Sequence, residues 1–427
     1  MLSLEQEVLA DPVLAGEPVV VPPAFRNETW PQVGGEEDHA PVHVAAPRRI
    51  ERKWRVRAIT RPGGKAPVTA PPVVGPERLY VIDGVASVAA FDKQTGREVW
   101  RTTMTPDVRD RQAWRFNIFA RVHPADLGFG GGAALAGDRL FVTSGFGFVA
   151  AMDAETGDLL WQHDAPGPMR NPPLVAEDLV VAVSISNEVI ALDQASGEER
   201  WAYQSFEESA RYLAAAAPAH ADGTVIVPFS SGELASLALA NGRVQWQAMI
   251  SRTSRLNALS VLGDIAGSPV VDRGAVFSAS QAGQLAGIDL RSGQVAWEAP
   301  VGGYHTPWLS GETLFVISNR GEVVAVNRVD GRIRWTKELP AFENQKKRKG
   351  RITWAGPVLA GGRLWVTGSN GRMLALSPQN GEQSERYKLR DGATLPPVVA
   401  DNTMYVMTED GFIEAWGEAP DPEEFVN

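Results

Sequence analysis

Histidines and carboxylates are the side chains of this sequence that could hold a metal or move a proton. His39 and His43 stand four residues apart, which is the spacing of two zinc ligands on one face of a helix. Pro41 lies between them and indicates extended chain, so we interpret the pair as solvent-exposed loop residues. The other histidines are His123, His163, His220 and His305. Cysteine is absent from the 427 residues, which excludes a thiol nucleophile, a disulfide and a cysteine zinc site.

The most regularly placed carboxylates belong to a phrase that recurs along the chain, as in "AFDKQTGREVW" and "AMDAETGDLLW". Its aspartate precedes a glycine by four residues, where a carboxylate can accept backbone N–H bonds from a turn and glycine can adopt positive φ. Its tryptophan supplies a large apolar surface. We therefore predict that the phrase ends one structural unit and docks it on the next, and does not bind a cofactor. The docking residues are Trp100, Trp161, Trp201, Trp246, Trp297 and Trp335.

The units that carry this phrase are predicted to contain four short strands each. The glycine recurs at intervals of roughly 40 to 60 residues, which is typical of propeller blades and not of helical solenoids. Upstream of it stand two alternating apolar runs with a turn between them, as in "GDRLFVTSGFGFVAAMD", and this is the pattern of a β-hairpin. A "PPVV"-like run before the hairpin and the run ending in tryptophan add two further strands.

Counting the units predicts an all-β fold, an eight-bladed β-propeller with four-stranded antiparallel blades. Seven units end at the six docking tryptophans and at Glu385, and an eighth stops after three strands. Its fourth strand is predicted to be "IERKWRVRAI" near Trp54, so that pairing of the N- and C-terminal strands closes the ring. We divide the chain into an extended, proline-rich segment (1–50) with Trp30 as a candidate anchor, the propeller (51–417) and an acidic tail (418–427).

The composition excludes some classes of partner. The net charge of −10 provides no overall field that attracts nucleic acid. No apolar run reaches the ~18 residues of a membrane helix. The run "KKRKGR", from Lys346 to Arg351, departs from the acidic character of the chain. We interpret it as a solvated loop between blades, with contact to anionic lipid headgroups as the alternative.

The phrase "DxxTGxxxW" on eight blades resembles the pyrroloquinoline-quinone-type propellers, which include quinoprotein dehydrogenases and non-enzymatic scaffolds. Within them the chain is most similar to the BamB family of the outer-membrane β-barrel assembly machinery. The stretch "SPVVDRGAVFSASQAGQLAGIDLRSGQVAWE" carries this resemblance, and "NETWPQVGG" resembles the family's entry to the first blade. The similarity covers nearly all of the chain from Trp30 to Trp416.

The resemblance implies a non-catalytic scaffold subunit of the β-barrel assembly (BAM) complex of Gram-negative bacteria. Such a subunit lies at the periplasmic face of the outer membrane, binds BamA and assists the insertion of outer-membrane proteins, which are themselves candidate partners. Family members are lipoproteins with a secretion signal and a lipidated cysteine. Neither occurs in this sequence, and we expect the natural precursor to carry both upstream of Met1. The resemblance implies no cofactor, metal or catalytic residue.

It also implies where BamA is contacted, because the family uses the loops that follow the third and fourth docking tryptophans. Counting back from the proline that ends each loop carries the family's Leu, Leu and Arg positions onto Ala210, Tyr212 and Leu213 in the first loop, and its two Asp positions onto Asp264 and Ala266 in the second. The family's arginine is missing from its place, and Arg211 lies two residues earlier. We predict that Tyr212 and Leu213 pack against a periplasmic domain of BamA, while Arg211 and Asp264 orient the contact at its rim.

A second class of function stays open at this stage, a dehydrogenase that depends on pyrroloquinoline quinone and Ca2+. Such a site needs acids in the loops around the axis, and the sequence shows no acidic cluster there outside the repeats. The informative departures from the repeat lie in the interblade loops 101–128, 202–217 and 247–264. The first loop mixes arginine with aromatics, a composition typical of interfaces, although a loop folded over the ring explains it equally well. These residues are Arg109, Arg111, Trp114, Arg115, Phe116, Phe119 and Arg121.

Overall fold

A computed structural model describes residues 8–14, 16–59, 70–105, 130–169, 171–205, 216–250 and 265–420. These residues form strands, turns and extended chain, and none of them is helical. The strands build eight four-stranded antiparallel sheets and one separate two-stranded hairpin. The predicted all-β, eight-bladed propeller is confirmed.

The first strand of the chain, β1 (Ile50–Arg57), belongs to the last blade, and the other blades follow in chain order. Blades 1 to 4 contain β2 (Val73–Val74), β3 (Arg78–Ile82), β4 (Ser87–Asp92) and β5 (Glu98–Thr103); β6 (Gly131–Ala136), β7 (Arg139–Ser144), β8 (Phe148–Asp153) and β9 (Leu159–Asp164); β10 (Leu174–Ala176), β11 (Leu179–Val183), β12 (Glu188–Asp193) and β13 (Glu199–Gln204); β14 (Ala219–Ala221), β15 (Thr224–Pro228), β16 (Glu233–Ala238) and β17 (Val244–Met249).

Blades 5 to 8 complete the ring, with a hairpin between blades 6 and 7. They contain β18 (Val270–Asp272), β19 (Ala275–Ser280), β20 (Gln284–Asp289) and β21 (Val295–Ala299); β22 (Trp308–Ser310), β23 (Thr313–Ile317), β24 (Glu322–Asn327) and β25 (Ile333–Glu338); the hairpin β26 (Phe342–Asn344) and β27 (Lys349–Arg351); β28 (Trp354–Ala360), β29 (Arg363–Gly368), β30 (Arg372–Leu376) and β31 (Gln383–Lys388); β32 (Val398–Ala400), β33 (Thr403–Met407) and β34 (Phe412–Glu418).

The first strand of a blade lies nearest the axis, because it contacts the first strand of the next blade, as β6 contacts β10 and β14 contacts β18. The middle strands are buried on both faces, and the fourth strand alternates between exposed and half-buried residues. Strand β1 pairs antiparallel with β34, from Ile50 opposite Glu418 to Arg57 opposite Phe412. The ring is therefore closed by strands from opposite ends of the chain, as the sequence predicts.

The recurring phrase forms a tight turn between the third and fourth strands of a blade. In blade 2, Asp153 Oδ1 accepts the backbone N–H groups of Glu155 and Thr156 at 2.8 and 2.7 Å. These hydrogen bonds hold the pKa of Asp153 below its ordinary value, and the bond from Thr156 has the largest effect. Gly157 closes the turn with a φ of 79°. The carboxylate thus replaces a missing backbone acceptor inside its own turn.

Each docking tryptophan lies at the junction with the next blade. Trp161 donates its indole N–H to the Gln194 carbonyl at 3.0 Å and covers Gly197 of the following turn. The acceptor is always the residue after the aspartate position of that turn. The same bond is made by Trp100 to Ala154, Trp201 to Leu239, Trp246 to Leu290, Trp297 to Arg328 and Trp335 to Pro378. Trp54 of β1, which the sequence analysis did not count among them, makes it to Lys93 of blade 1.

The segment before β1 runs once around the propeller axis, and we call residues 25–46 the N-terminal strap. In chain order it forms hydrogen bonds with the innermost strand of every blade. The partners are Asn27 with Val399 (blade 8), Trp30 with Val74 (blade 1), Pro31 with Leu135 (blade 2), Gln32 with Val175 (blade 3), Glu37 with His220 (blade 4), Asp38 with Val271 (blade 5), Val42 with Trp308 (blade 6) and Val44 with Leu359 (blade 7).

The strap buries the histidine pair, so the prediction that His39 and His43 are solvent-exposed is wrong. Their exposed fractions are 3% and 6%. His39 Nδ1 lies 2.7 Å from the Pro269 carbonyl, and His43 Nε2 accepts the Gly362 N–H at 2.9 Å. The two rings bind different blades and do not converge on a common point. They fasten the strap to the ring.

Burial of His39 predicts that acid destabilises the fold. Burial lowers the pKa of His39 from 6.5 to about 4, against a smaller opposing effect of the Pro269 carbonyl. Between these values the unfolded chain binds the proton and the folded chain does not, so stability falls as pH falls from 6.5 towards 4. For this group the loss at pH 5 is about 2 kcal/mol. Urea unfolding at pH 8 and pH 5 measures it.

The control for this pH dependence is His39→Gln, which keeps a donor for Pro269 and cannot titrate. Its loss of stability between pH 8 and pH 5 should be smaller than that of the wild type by about 2 kcal/mol. Burial raises the pKa of Asp38, which acts in the opposite direction in both proteins and cancels in the comparison. Identical pH dependence of the two proteins would contradict the assignment to His39.

Candidate partner-binding face

The two faces of the ring differ in what covers them. The strap lies beside the turns that join the first and second strands of the blades. The opposite face, which we call the loop face, carries the turns between the second and third strands and the connections from one blade to the next. At the end of the fourth strand the chain bonds to these turns, as Ser205 N does to the Asn187 carbonyl at 3.0 Å and Ile250 N to the Gly232 carbonyl at 2.9 Å.

The four predicted BamA-contacting residues, Arg211, Tyr212, Leu213 and Asp264, lie outside the described residues. The arginine and aromatic residues of the first interblade loop, from Arg109 to Arg121, also lie outside them. Their placement stays a prediction. The structure does define the roots of these loops, which fix where each loop leaves and rejoins the ring.

The root of loop 206–215 is held by a carboxylate between blades 3 and 4. Ser205 Oγ donates to Glu233 Oε2 at 2.9 Å, and Gln247 Nε2 donates to Glu233 Oε1 at 2.6 Å. Gln247 Nε2 also lies 3.0 Å from the Tyr203 hydroxyl, and burial raises the pKa of Tyr203. Glu233 is 6% exposed, and both its oxygens are hydrogen-bonded. Its charge is therefore used to fix the start of the loop.

Sequence reasoning did not single out Glu233. It is the first residue of a third strand, and the third strands of blades 3 and 6 also begin with glutamate, at Glu188 and Glu322. Because glutamate recurs at this position, the sequence neither singles out Glu233 nor reveals its partners.

The roots of loops 206–215 and 251–264 adjoin each other. Ala217 N, just after the first loop, donates to Ser268 Oγ at 2.9 Å, just after the second. On the second loop, Ile250 and Ile265 are both buried in one apolar cluster with Trp246. The structure therefore brings the described residues that flank the two predicted contact loops to neighbouring places on the loop face, although they belong to different blade junctions.

The described residues contain no group of three or more histidine, aspartate or glutamate side chains arranged to hold a metal ion. Nor do they contain a helix with the length and apolar character needed to cross a membrane. The carboxylates with the clearest geometry, such as Asp153 and Glu233, are used inside turns and loop roots.

Comparison with known proteins relates the whole ring to one family. The profile of the family described as outer membrane protein assembly factor BamB matches residues 42–111, 106–337 and 341–417. BamB of Burkholderia pseudomallei is 28% identical over 344 residues, and BamB of Escherichia coli is 25% identical over 343 residues. Each match covers 80% of this chain and 82% of the relative.

Solved structures share the fold. The crystal structure of BamB from Moraxella catarrhalis matches with a TM-score of 0.71 at 20% identity, over 86% of this chain and 100% of that chain. A europium-containing methanol dehydrogenase matches with a TM-score of 0.69 at 15% identity, over 89% of each chain. The propeller is thus common to assembly factors and enzymes. The chain belongs to the BamB family of outer membrane protein assembly factors.

Proposed function

We propose that this protein is a non-catalytic scaffold subunit of the outer-membrane assembly machinery, which binds a periplasmic domain of BamA through loops 206–215 and 251–264. Membership of the BamB family supports the assembly role. The choice of this site rests on one observation, namely that the two loop roots adjoin each other where Ala217 N donates to Ser268 Oγ. Loops on a rigid ring present contact residues without a large ordering cost when their roots are fixed.

The proposal includes a location at the periplasmic face of the outer membrane, with a lipid anchor supplied by the natural precursor. It also includes the absence of catalysis, which rests on the names of the relatives as assembly factors. Dye reduction by the protein with an alcohol, only after addition of pyrroloquinoline quinone and Ca2+, would contradict this part of the proposal.

The double change Tyr212→Ala with Leu213→Ala should weaken binding to the soluble periplasmic domains of BamA by roughly thirtyfold. Truncation of central interface side chains typically costs at least ~2 kcal/mol, which corresponds to this factor. Titration calorimetry with the BamA of the same organism measures it. Arg211→Ala and Asp264→Ala should have smaller effects that decrease with added salt, because rim charges act mainly on orientation and association rate.

The matched control is Leu159→Ala with Leu160→Ala, which removes two exposed leucines from the outer strand of blade 2. Its affinity for BamA should equal that of the wild type. A folded Tyr212 and Leu213 double variant that binds as tightly as this control would show that the contact lies elsewhere.

A further inference from the structure

The basic side chains of this protein are strongly segregated. Residues 48–57, 332–351 and 383–390 together carry 17 Lys and Arg and only 4 Asp and Glu. The whole chain carries 41 Lys and Arg and 51 Asp and Glu, so the rest of the chain contains 24 Lys and Arg against 47 Asp and Glu. An acidic protein therefore contains three stretches of opposite charge, and their positions in the fold decide whether they act together.

The three stretches lie on adjoining blades. Residues 332–338, 383–390 and 48–57 contain or border the outermost strands β25, β31 and β1 of blades 6, 7 and 8. The hairpin of β26 and β27 follows β25 on the loop face, where Trp354 Nε1 donates to the Pro340 carbonyl at its base. One sector of the ring thus presents a basic outer wall that ends in a basic hairpin.

The cations of the hairpin are exposed and uncompensated. Lys346, Lys347, Arg348, Lys349 and Arg351 are all exposed, and none forms an ion pair within the described part of the chain. Five like charges in six residues repel one another, which does not stabilise the hairpin itself. The presence of five such charges in one short turn is better explained by an anionic surface outside the chain.

A second group of cations lies at the corner between blades 7 and 8. Arg57 and Arg390 place their guanidinium carbons 4.5 and 4.1 Å from the centre of the Phe412 ring. Arg390 also pairs with Asp410 at 2.6 Å, while Arg57 has no ion pair in the described residues. Stacking on the ring holds both groups at the start of β34, on the loop face. Asp391, Glu409 and Asp410 lie in the turns around these two arginines, so this corner adds no net positive charge to that of the hairpin.

We propose that the hairpin 342–351 docks on the headgroups of anionic phospholipids. Its three lysines and two arginines are all exposed, and a basic cluster of this size is attracted by the negative surface potential of a bilayer that contains anionic lipids. Phe342 is half-buried beneath Arg348, at 5.4 Å, so the hairpin offers no free aromatic wedge. The contact is therefore electrostatic, peripheral and sensitive to salt.

The inference deepens the proposed function, since it rests on a location beside a membrane, but its test contains lipid and no BamA. The probe is a vesicle of equal parts phosphatidylglycerol and phosphatidylcholine at low salt, with pure phosphatidylcholine as the neutral vesicle. The wild-type chain should sediment with the anionic vesicle and not with the neutral one. The triple change Lys346→Gln, Lys347→Gln and Lys349→Gln should weaken this partition at least ~tenfold, because each basic residue near such a surface contributes measurably.

The control removes the same charge from the opposite face. Arg97, Arg243 and Arg291 are exposed in the turns that follow the third strands of blades 1, 4 and 5. Their joint replacement by glutamine should leave vesicle binding within about twofold of the wild type, because a charge more than a Debye length from the bilayer is screened.

Three results would overturn the inference. Failure of the wild type to bind anionic vesicles at low salt would remove it. Equal losses in the two triple variants would show that net charge alone governs the binding. Tighter binding to soluble polyglutamate than to the vesicles would assign the surface to an acidic protein partner. None of these results bears on the binding of BamA through loops 206–215 and 251–264, so the two proposals fail independently.

Discussion

Replacing Trp30 by alanine should lower the free energy of unfolding by about 3 to 5 kcal/mol, the loss typical of a buried tryptophan. Trp30 is 4% exposed and stacks on Trp308 at 6.3 Å between ring centres, which joins the strap to blade 6. Its backbone also pairs with Val74 of blade 1 in both directions, at 2.7 and 2.9 Å. One residue thus connects the strap to two blades that are not neighbours in the ring, through its side chain to blade 6 and through its backbone to blade 1.

The matched control is Phe25→Ala, which removes an aromatic ring from the same strap. Phe25 is 42% exposed, and its backbone bonds to His43 and Ala45 do not depend on the ring. The Phe25→Ala variant should lose about 1 kcal/mol or less of its free energy of unfolding, because little apolar area is returned to water. Urea unfolding followed by circular dichroism compares the two. Equal losses would show that the strap does not stabilise the ring through Trp30.

The route of the strap explains why this effect is expected to be large. In a ring of repeats each blade contacts only its neighbours, so stability is the sum of blade and junction terms. The strap adds a bond to every innermost strand, from Val399 in blade 8 around to Leu359 in blade 7. Opening any single junction therefore strains the strap as well. The strap therefore adds long-range restraints to a ring that is otherwise held by contacts between neighbouring blades.

The blades could be predicted from sequence because their determinants are local. The turn aspartate, the glycine with positive φ and the tryptophan lie within nine residues, as Asp153, Gly157 and Trp161 do. Hairpin register follows from the alternation of apolar residues. The closing pair of β1 and β34 could also be predicted, because a three-strand unit at one end and a lone strand at the other are complementary.

The strap and the loop root could not be predicted, because their partners are distant in the chain. Gln32 bonds to the backbone of Val175, 143 residues away, and no local pattern encodes that pairing. For His43, Pro41 correctly excluded a helix, but a non-helical segment can be buried as well as exposed. Glu233 is recognisable as part of a loop root only once Ser205 and Gln247 are placed beside it. The contact residues of the loops themselves stay predictions.

Replacing Gly331 by alanine should destabilise the protein by about 2 to 5 kcal/mol, more than the same change at Gly274. The two glycines have φ values of 72° and 73°, so alanine meets the same backbone strain at both, about 1 to 2 kcal/mol. A Cβ at Gly331 would overlap with Cε3 of Trp297, whereas nothing lies within 4 Å of a Cβ at Gly274. The excess at Gly331 therefore measures the overpacking against the docking tryptophan.

A double-mutant cycle tests whether the glycine and the tryptophan act as one unit. Trp297→Ala removes the ring that the new Cβ would strike, together with its hydrogen bond to the Arg328 carbonyl. In the Trp297→Ala background, Gly331→Ala should lower the free energy of unfolding only by the cost of backbone strain. The effects of the two changes should therefore be less than additive by about 1 to 3 kcal/mol. Urea unfolding of the four proteins gives the coupling. Strict additivity would mean that the junction relaxes around the methyl group. Glycine would then recur in the phrase because of its backbone conformation alone, and not because the tryptophan of the neighbouring blade packs against it.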